Sequence, residues 1–219
     1  MIGLAVLMVV VQGPATAWEM KLPYEEGKKY LFQTELKVNM FGSNLDVSYI
    51  AELNVKSKSE KGLKGTMLWR DLMVDGEQVG EDLDIPAELN QRGYLVDAQS
   101  EWGEDFRRMA SVFFFIYPEK PVEIGSKWTY GFKLDQKSEK DYYTADFEVK
   151  SREKIGDKEV LKISIAGKES RSDAMKVDGF FWVSRTGTVE KIELSIKQWP
   201  IAPASTVADA TLTAVNISK

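Results

Sequence analysis

The sequence predicts a mainly β protein: a duplicated antiparallel meander that forms a strongly curved sheet or half-barrel, with one covering helix. Three observations carry this expectation. Segments that alternate apolar and polar residues recur along the chain, separated by Gly, Asn and Asp turn clusters. Blocks from the first half return in the second at a nearly constant offset. Between the halves, a single stretch has its apolar residues at helical spacing.

The strands come in order. In Tyr30–Asn39, Tyr30, Phe32, Leu36 and Val38 share one parity, the pattern of a half-buried strand. Phe41-Gly42-Ser43-Asn44 is a turn cluster, and Val47–Ser57 runs back with Val47, Tyr49, Ala51, Leu53 and Val55 on one face. After the charged turn Lys58–Lys64, Gly65–Val74 makes a third strand closed by the hairpin signal Asp75-Gly76. Glu77–Asn90 is acidic and contains Pro86, so it reads as a loop with a short edge element, and Gly93–Gln99 returns to strand.

The helix is expected over Gly103–Ile116. Gly103 caps it, and Glu104 and Asp105 sit where the helix dipole favours acids. Phe106, Met109, Ala110 and Phe113 form its apolar stripe, while Glu104 and Arg108 stand one turn apart on the wet side. Tyr117 precedes Pro118 and ends the element. Trp128–Asp135, Tyr142–Arg152, Glu159–Ala166, Gly179–Val183, Thr188–Gln198 and Thr206–Ser218 are the remaining strands, with Pro200 and Pro203 interrupting the chain.

Repeats of about 23–117 and 121–219 account for this order. The segment from Pro23 to Tyr30 aligns with that from Pro121 to Trp128 at an offset of 98 (121 − 23). Ile50–Ser57 matches Thr144–Ser151 at 94 (145 − 51), and Gly62/Gly156 and Gly93/Gly187 keep that second offset. One deletion in the first hairpin of the second copy explains the change. Two architectures fit a duplicated meander: a curved sheet with the helix across its concave face, or a sandwich or closed barrel. An apolar-striped helix needs an apolar sheet face to cover, which favours the curved sheet.

Residues 18–219 are expected as a single domain, preceded by a targeting segment over 1–17. The apolar run Ile2–Val11 is too short for a membrane span, Gly13-Pro14 breaks it, and Ala15-Thr16-Ala17 suits signal-peptidase cleavage. No Lys or Arg precedes that run, so a buried N-terminal strand or an uncleaved anchor is the competing expectation. Nothing later resembles a span, which implies a secreted or periplasmic protein that is not integral to a membrane.

Composition narrows the chemistry. The chain of 219 residues has no Cys and no His, which removes thiolate nucleophiles, disulfides, Cys or His metal sites and imidazole acid–base catalysis. A net charge of -5 argues against a nucleic-acid partner. The acidic run Glu77–Asp84 lacks the spacing of a calcium loop, and Glu101, Glu104 and Asp105 already have a structural reason at a helix start. Neither a G-x-S-x-G elbow nor a glycine-rich phosphate loop is present. No enzyme, cofactor or metal is expected.

The aromatic clusters Phe113–Tyr117 and Phe180-Phe181-Trp182 remain. They are either core or the lining of a cavity for an apolar ligand. The segment from Phe115 to Trp128, FIYPEKPVEIGSKW, resembles an uncharacterised family of secreted bacterial duplicated β domains, in which a proline-rich connector precedes a Gly-x-x-Trp strand start. The overall plan is also similar to half-barrel carriers of the outer-membrane lipoprotein carrier type. That resemblance implies the architecture and transfers no functional residue. The resulting expectation is a non-enzymatic envelope protein binding an apolar small molecule, lipid or acyl chain through Phe106, Met109, Phe113 and Phe181. The alternative is a protein-interaction or scaffolding module with a solid core.

Overall fold

The computed structural model describes residues 17–40, 42–98, 103–133, 142–171, 174–201 and 206–218. The expected targeting segment therefore lies outside the described residues except for Ala17, as do Phe41, Gln99, Glu101, Leu134, Asp135, Pro203 and the side chain of Glu104. The elements are β1 (Lys29–Met40), β2 (Ser43–Ser59), β3 (Gly62–Val74), β4 (Glu77–Gln78), β5 (Leu83–Asn90), β6 (Leu95–Ala98), α1 (Gly103–Ser111), β7 (Lys127–Lys133), β8 (Tyr142–Ile155), β9 (Lys158–Glu169), β10 (Lys176–Ser184), β11 (Val189–Ile201) and β12 (Thr206–Asn216).

All twelve strands belong to one antiparallel sheet ordered β6-β5-β3-β2-β1-β12-β11-β10-β9-β8-β7, with β4 paired to β3. The path ends at β6 and β7, so the sheet is not closed by a hydrogen-bonded ladder. It is strongly curled. Laid flat, ten strand spacings would separate the edges by about 48 Å. Instead the Tyr94 ring, beside β6, lies 3.8 Å from the Phe132 ring on β7, and Asn90 Nδ2 donates to Tyr130 Oη at 2.8 Å. Side chains, not ladder bonds, bridge the gap, as the half-barrel expectation requires.

Each half is a meander of sequential hairpins, and the two halves meet where β1 pairs with β12, from Phe32↔Asn216 to Asn39↔Asp209. Matching bonds recur in both halves. Gly27 donates to the Val55 carbonyl at 2.9 Å and Gly125 to that of Val149 at 2.8 Å. Asn90 and Gly93 close one turn as Ser184 and Gly187 close another. The glycines have φ of 83° and 90°, and a Cβ on Gly187 would run into the Lys21 carbonyl oxygen. Gly62 and Gly156 are not matched, because Gly62 pairs with Ser59 inside the ladder while Gly156 forms a turn.

Three local expectations are corrected. Leu83–Asn90 is a full strand with Ile85, Ala87 and Leu89 buried, not a loop. Pro86 is accommodated because, among the described residues, β6 pairs with Ala87–Leu89 and does not reach Pro86, so no ladder bond to β6 needs its missing donor. Pro200 does not interrupt β11, which continues to Ile201 and pairs Pro200 with Val207. The helix ends at Ser111, one turn and more before Ile116. Ser111 Oγ donates back to the Arg108 carbonyl at 2.8 Å, and the amides of Phe113 and Phe114 turn back only three residues.

The segment after the helix runs into the interior. Val112, Phe115, Ile116 and Tyr117 are buried, Trp128 Nε1 donates to the Ile116 carbonyl at 3.1 Å, and Tyr117 Oη donates to the Gly187 carbonyl at 2.8 Å. Ahead of β1, Trp18, Met20, Leu22 and Tyr24 are buried in alternation, and Trp18 exchanges two backbone bonds with Val122. Both segments fill the sheet's interior with the chain's own side chains.

Candidate functional site: an apolar cleft at the helix end

The cleft arises from one row of side chains across three strands. Register places Phe32, Ala51 and Trp69 side by side on β1, β2 and β3. Ala51 is short between two large rings, which leaves a notch. Leu53 and Met67, the next pair along, form one wall, and Tyr24 the end. Ala110, Phe113 and Phe114 cover it from the helix end, enclosing about 50 Å³ with an open mouth. That is space for a few water-sized groups. In the other half, the row Tyr130, Ala145, Gly167 has a similar short residue, but the Tyr143 ring lies over Gly167 and fills the space.

The cleft's electrostatics are simple. Glu52 is the one charged residue in the described lining, but strand alternation turns its side chain to the face opposite Ala51 and Leu53, where it is ion-paired with Lys29 and Arg70. Burial pushes the Tyr24 phenol well above its ordinary range, with nearby Tyr30 adding to the effect, so it stays neutral. Burial does the same to Tyr49, two residues before Ala51 on the same strand face. An uncharged, mostly apolar notch of this kind can accept an apolar group and offers nothing to polarise a bond.

The four expected ligand residues separate. Phe113 is half-buried and lines the cleft. Phe106 is fully buried behind it, with its ring 5.3 Å from Trp69. Met109 is core, and its carbonyl accepts a bond from Trp199 Nε1 at 3.1 Å. Phe181 is fully buried elsewhere, 5.4 Å from Phe115, in a cluster that includes Phe147 stacked on Trp128. Sequence reasoning missed Phe32, Ala51 and Trp69. Their inward parity was readable, but not the register that sets the small residue between the large ones.

Arg108 also departs from expectation, because it faces inward. It is 4% exposed and grips Glu169, itself 1% exposed, through Nε–Oε1 at 2.9 Å and NH2–Oε2 at 2.6 Å. Asp105 Oδ1 takes a third contact at 3.1 Å. The fork geometry of the guanidinium fits two carboxylate oxygens at once, which fixes the helix against the end of β9. Among the described residues no group of three acidic, His or Cys side chains converges as a metal site. No described helix is long and apolar enough to cross a membrane.

No protein-family pattern and no curated protein matches the chain. Among solved structures, similarity is found to a lipoprotein candidate from Parabacteroides distasonis, with TM-score 0.40, 11% identity, and coverage of 90% of this chain and 98% of that one. A candidate exported protein with YmcC-like fold from Bacteroides fragilis gives 0.35 and 10%, covering 91% and 98%. The hypothetical lipoprotein YmcC from Escherichia coli gives 0.35 and 12%, covering 84% and 86%. Likeness at this level assigns no function.

Proposed function

We propose that the protein is a non-enzymatic, secreted or periplasmic binder of an apolar group, such as a lipid or acyl chain, held in the cleft over Ala51. The observation that carries this is the notch itself: aromatic walls, an open mouth, and a half-buried cover of Phe113 and Phe114. Each CH₂ buried there contributes about 0.8 kcal/mol. The closed volume is short of a whole acyl chain, so Phe113 and Phe114 swing outward as the chain enters. Trp69 reports the event, since a brominated acyl chain in the cleft quenches its fluorescence. Quenching that disappears in Trp69→Phe supports the assignment. Unquenched Trp69 at saturating ligand sinks it.

A second reading is favoured by the filled half of the interior. Phe115 packs its ring against Phe147 and Phe181 beneath the connector, which suits a solid-core module that docks a protein partner. Envelope pull-down that returns a stoichiometric partner, together with an inert cleft, would favour it.

A further inference from the structure

Two buried hydroxyls break the apolar concave face beside the cleft. Tyr49 is 2% exposed and its hydroxyl has no hydrogen-bond partner among the described residues. Its ring lies 5.2 Å from Trp69 and 6.3 Å from Phe113, both of which line the cleft. Directly opposite on β1, Thr34 is wholly buried, and among the described residues its hydroxyl reaches only the Phe32 carbonyl, at the long distance of 3.5 Å. A buried hydroxyl without a partner is costly, and folded proteins rarely keep one. In the matching position of the other half, Tyr143 lies over Gly167, whereas Tyr49 faces the bulky Trp69. The orphan hydroxyl thus stands beside the open notch over Ala51.

Resting on the apolar-group function proposed above, we infer that the ligand is an uncharged acyl compound whose ester-type carbonyl accepts a hydrogen bond from Tyr49 Oη. Charge decides between carbonyl and carboxylate. The described lining holds no cation to meet an anion: its one charged residue is the acid Glu52, whose side chain alternates to the opposite sheet face and pairs there with Lys29 and Arg70. A carboxylate would enter without a counter-ion, and buried charge of that kind is strongly disfavoured. A neutral carbonyl satisfies the phenol with no such penalty, and the alkyl chain follows the row Phe32, Ala51, Trp69.

The test uses the whole protein and three probes of similar length: methyl octanoate, nonane and octanoate. Each competes with the neutral fluorophore N-phenylnaphthylamine. Methyl octanoate is expected to bind about tenfold more tightly than nonane, the worth of one buried hydrogen bond, with octanoate weakest. In Tyr49→Phe that preference collapses, while nonane binds as before. The unliganded variant melts at or above the parent temperature, because an unsatisfied hydroxyl has gone. Equal binding of ester and alkane in the parent overturns the inference and leaves the apolar function standing. Tightest binding by octanoate overturns it as well. If none of the three displaces the fluorophore, the apolar function itself fails.

Discussion

Arg108 on the helix and Glu169 at the end of β9 form a two-contact ion pair sealed from solvent, joining segments that lie far apart in sequence. Glu169 Oε2 also accepts the Met175 amide at 3.0 Å, so one carboxylate organises both the helix and the β9–β10 connection. Removing Arg108 leaves the buried Glu169 charge with the Met175 amide but without its cation. Arg108→Met is expected to cost about 3–5 kcal/mol in urea unfolding. Adding Glu169→Gln removes the stranded charge yet keeps an acceptor for Met175, so the double variant should recover part of the loss. A single variant as stable as the parent would show that the pair contributes nothing.

The helix stripe divides by depth. Phe106→Ala empties a fully buried site and should cost about 3–5 kcal/mol. Phe113 covers the cleft and is only half-buried, so Phe113→Ala should cost about 1–2 kcal/mol. The second change also widens the mouth, and fluorophore uptake should rise. Paired thermal melts and uptake curves distinguish the two positions, and equal destabilisation would contradict the placement.

Trp199 reaches the helix because β11 bulges. The register shifts between Ile196 and Trp199, with Gln198 at φ 53°. The bulge brings the indole to the Met109 carbonyl, one of the carbonyls left open at the helix end. Trp199→Phe keeps the ring but removes the donor, at an expected cost of about 1–3 kcal/mol. Amide exchange should quicken in Gly103–Ser111 more than in β12. Uniform change across both would assign the loss to general packing.

Alkaline titration gives a fourth test. Tyr24, Tyr49, Tyr117 and Tyr143 are all raised from the ordinary 10.0, in each case first by burial. The unfolded chain ionises these phenols before the folded one does. Their stability contribution is therefore complete below pH 10.0 and is lost progressively as pH rises from there toward the raised values. Phenolate absorbance should show these four of the eight tyrosines ionising only together with unfolding. Smooth titration of all eight in the folded protein would contradict the burial.

Much of the sheet was legible because alternation is a local signal. Tyr30–Asn39 and Val47–Ser57 show their parity without help, and Asp75-Gly76 names its own turn. Leu83, Ile85, Ala87 and Leu89 alternate just as well, yet Pro86 and the neighbouring acids masked them, since only the pairing reveals which edge is open. Arg108 misled for a related reason. Helical spacing placed it beside Glu104, but a guanidinium turns inward when a buried carboxylate waits across the fold, and nothing local announces Glu169. The cleft was least legible of all, because the shortness of Ala51 matters only once the ladder sets it between Phe32 and Trp69.

The pairing of β1 with β12 places a constraint on how the molecule is made. Phe32 must find Asn216 across 184 positions (216 − 32), the longest loop closure between paired strands of the sheet, and such closures form slowly. A chain emerging from the ribosome N-terminus first leaves one side of β1 as a bare edge for almost the whole of synthesis. Until the twelfth strand arrives, that edge is a template for any other extended chain nearby. Loss of β12 would thus expose two central strands, β1 and β11, in addition to the outer rims β6 and β7. Truncations reaching into Thr206–Asn216 should therefore yield aggregates instead of a shortened folded protein.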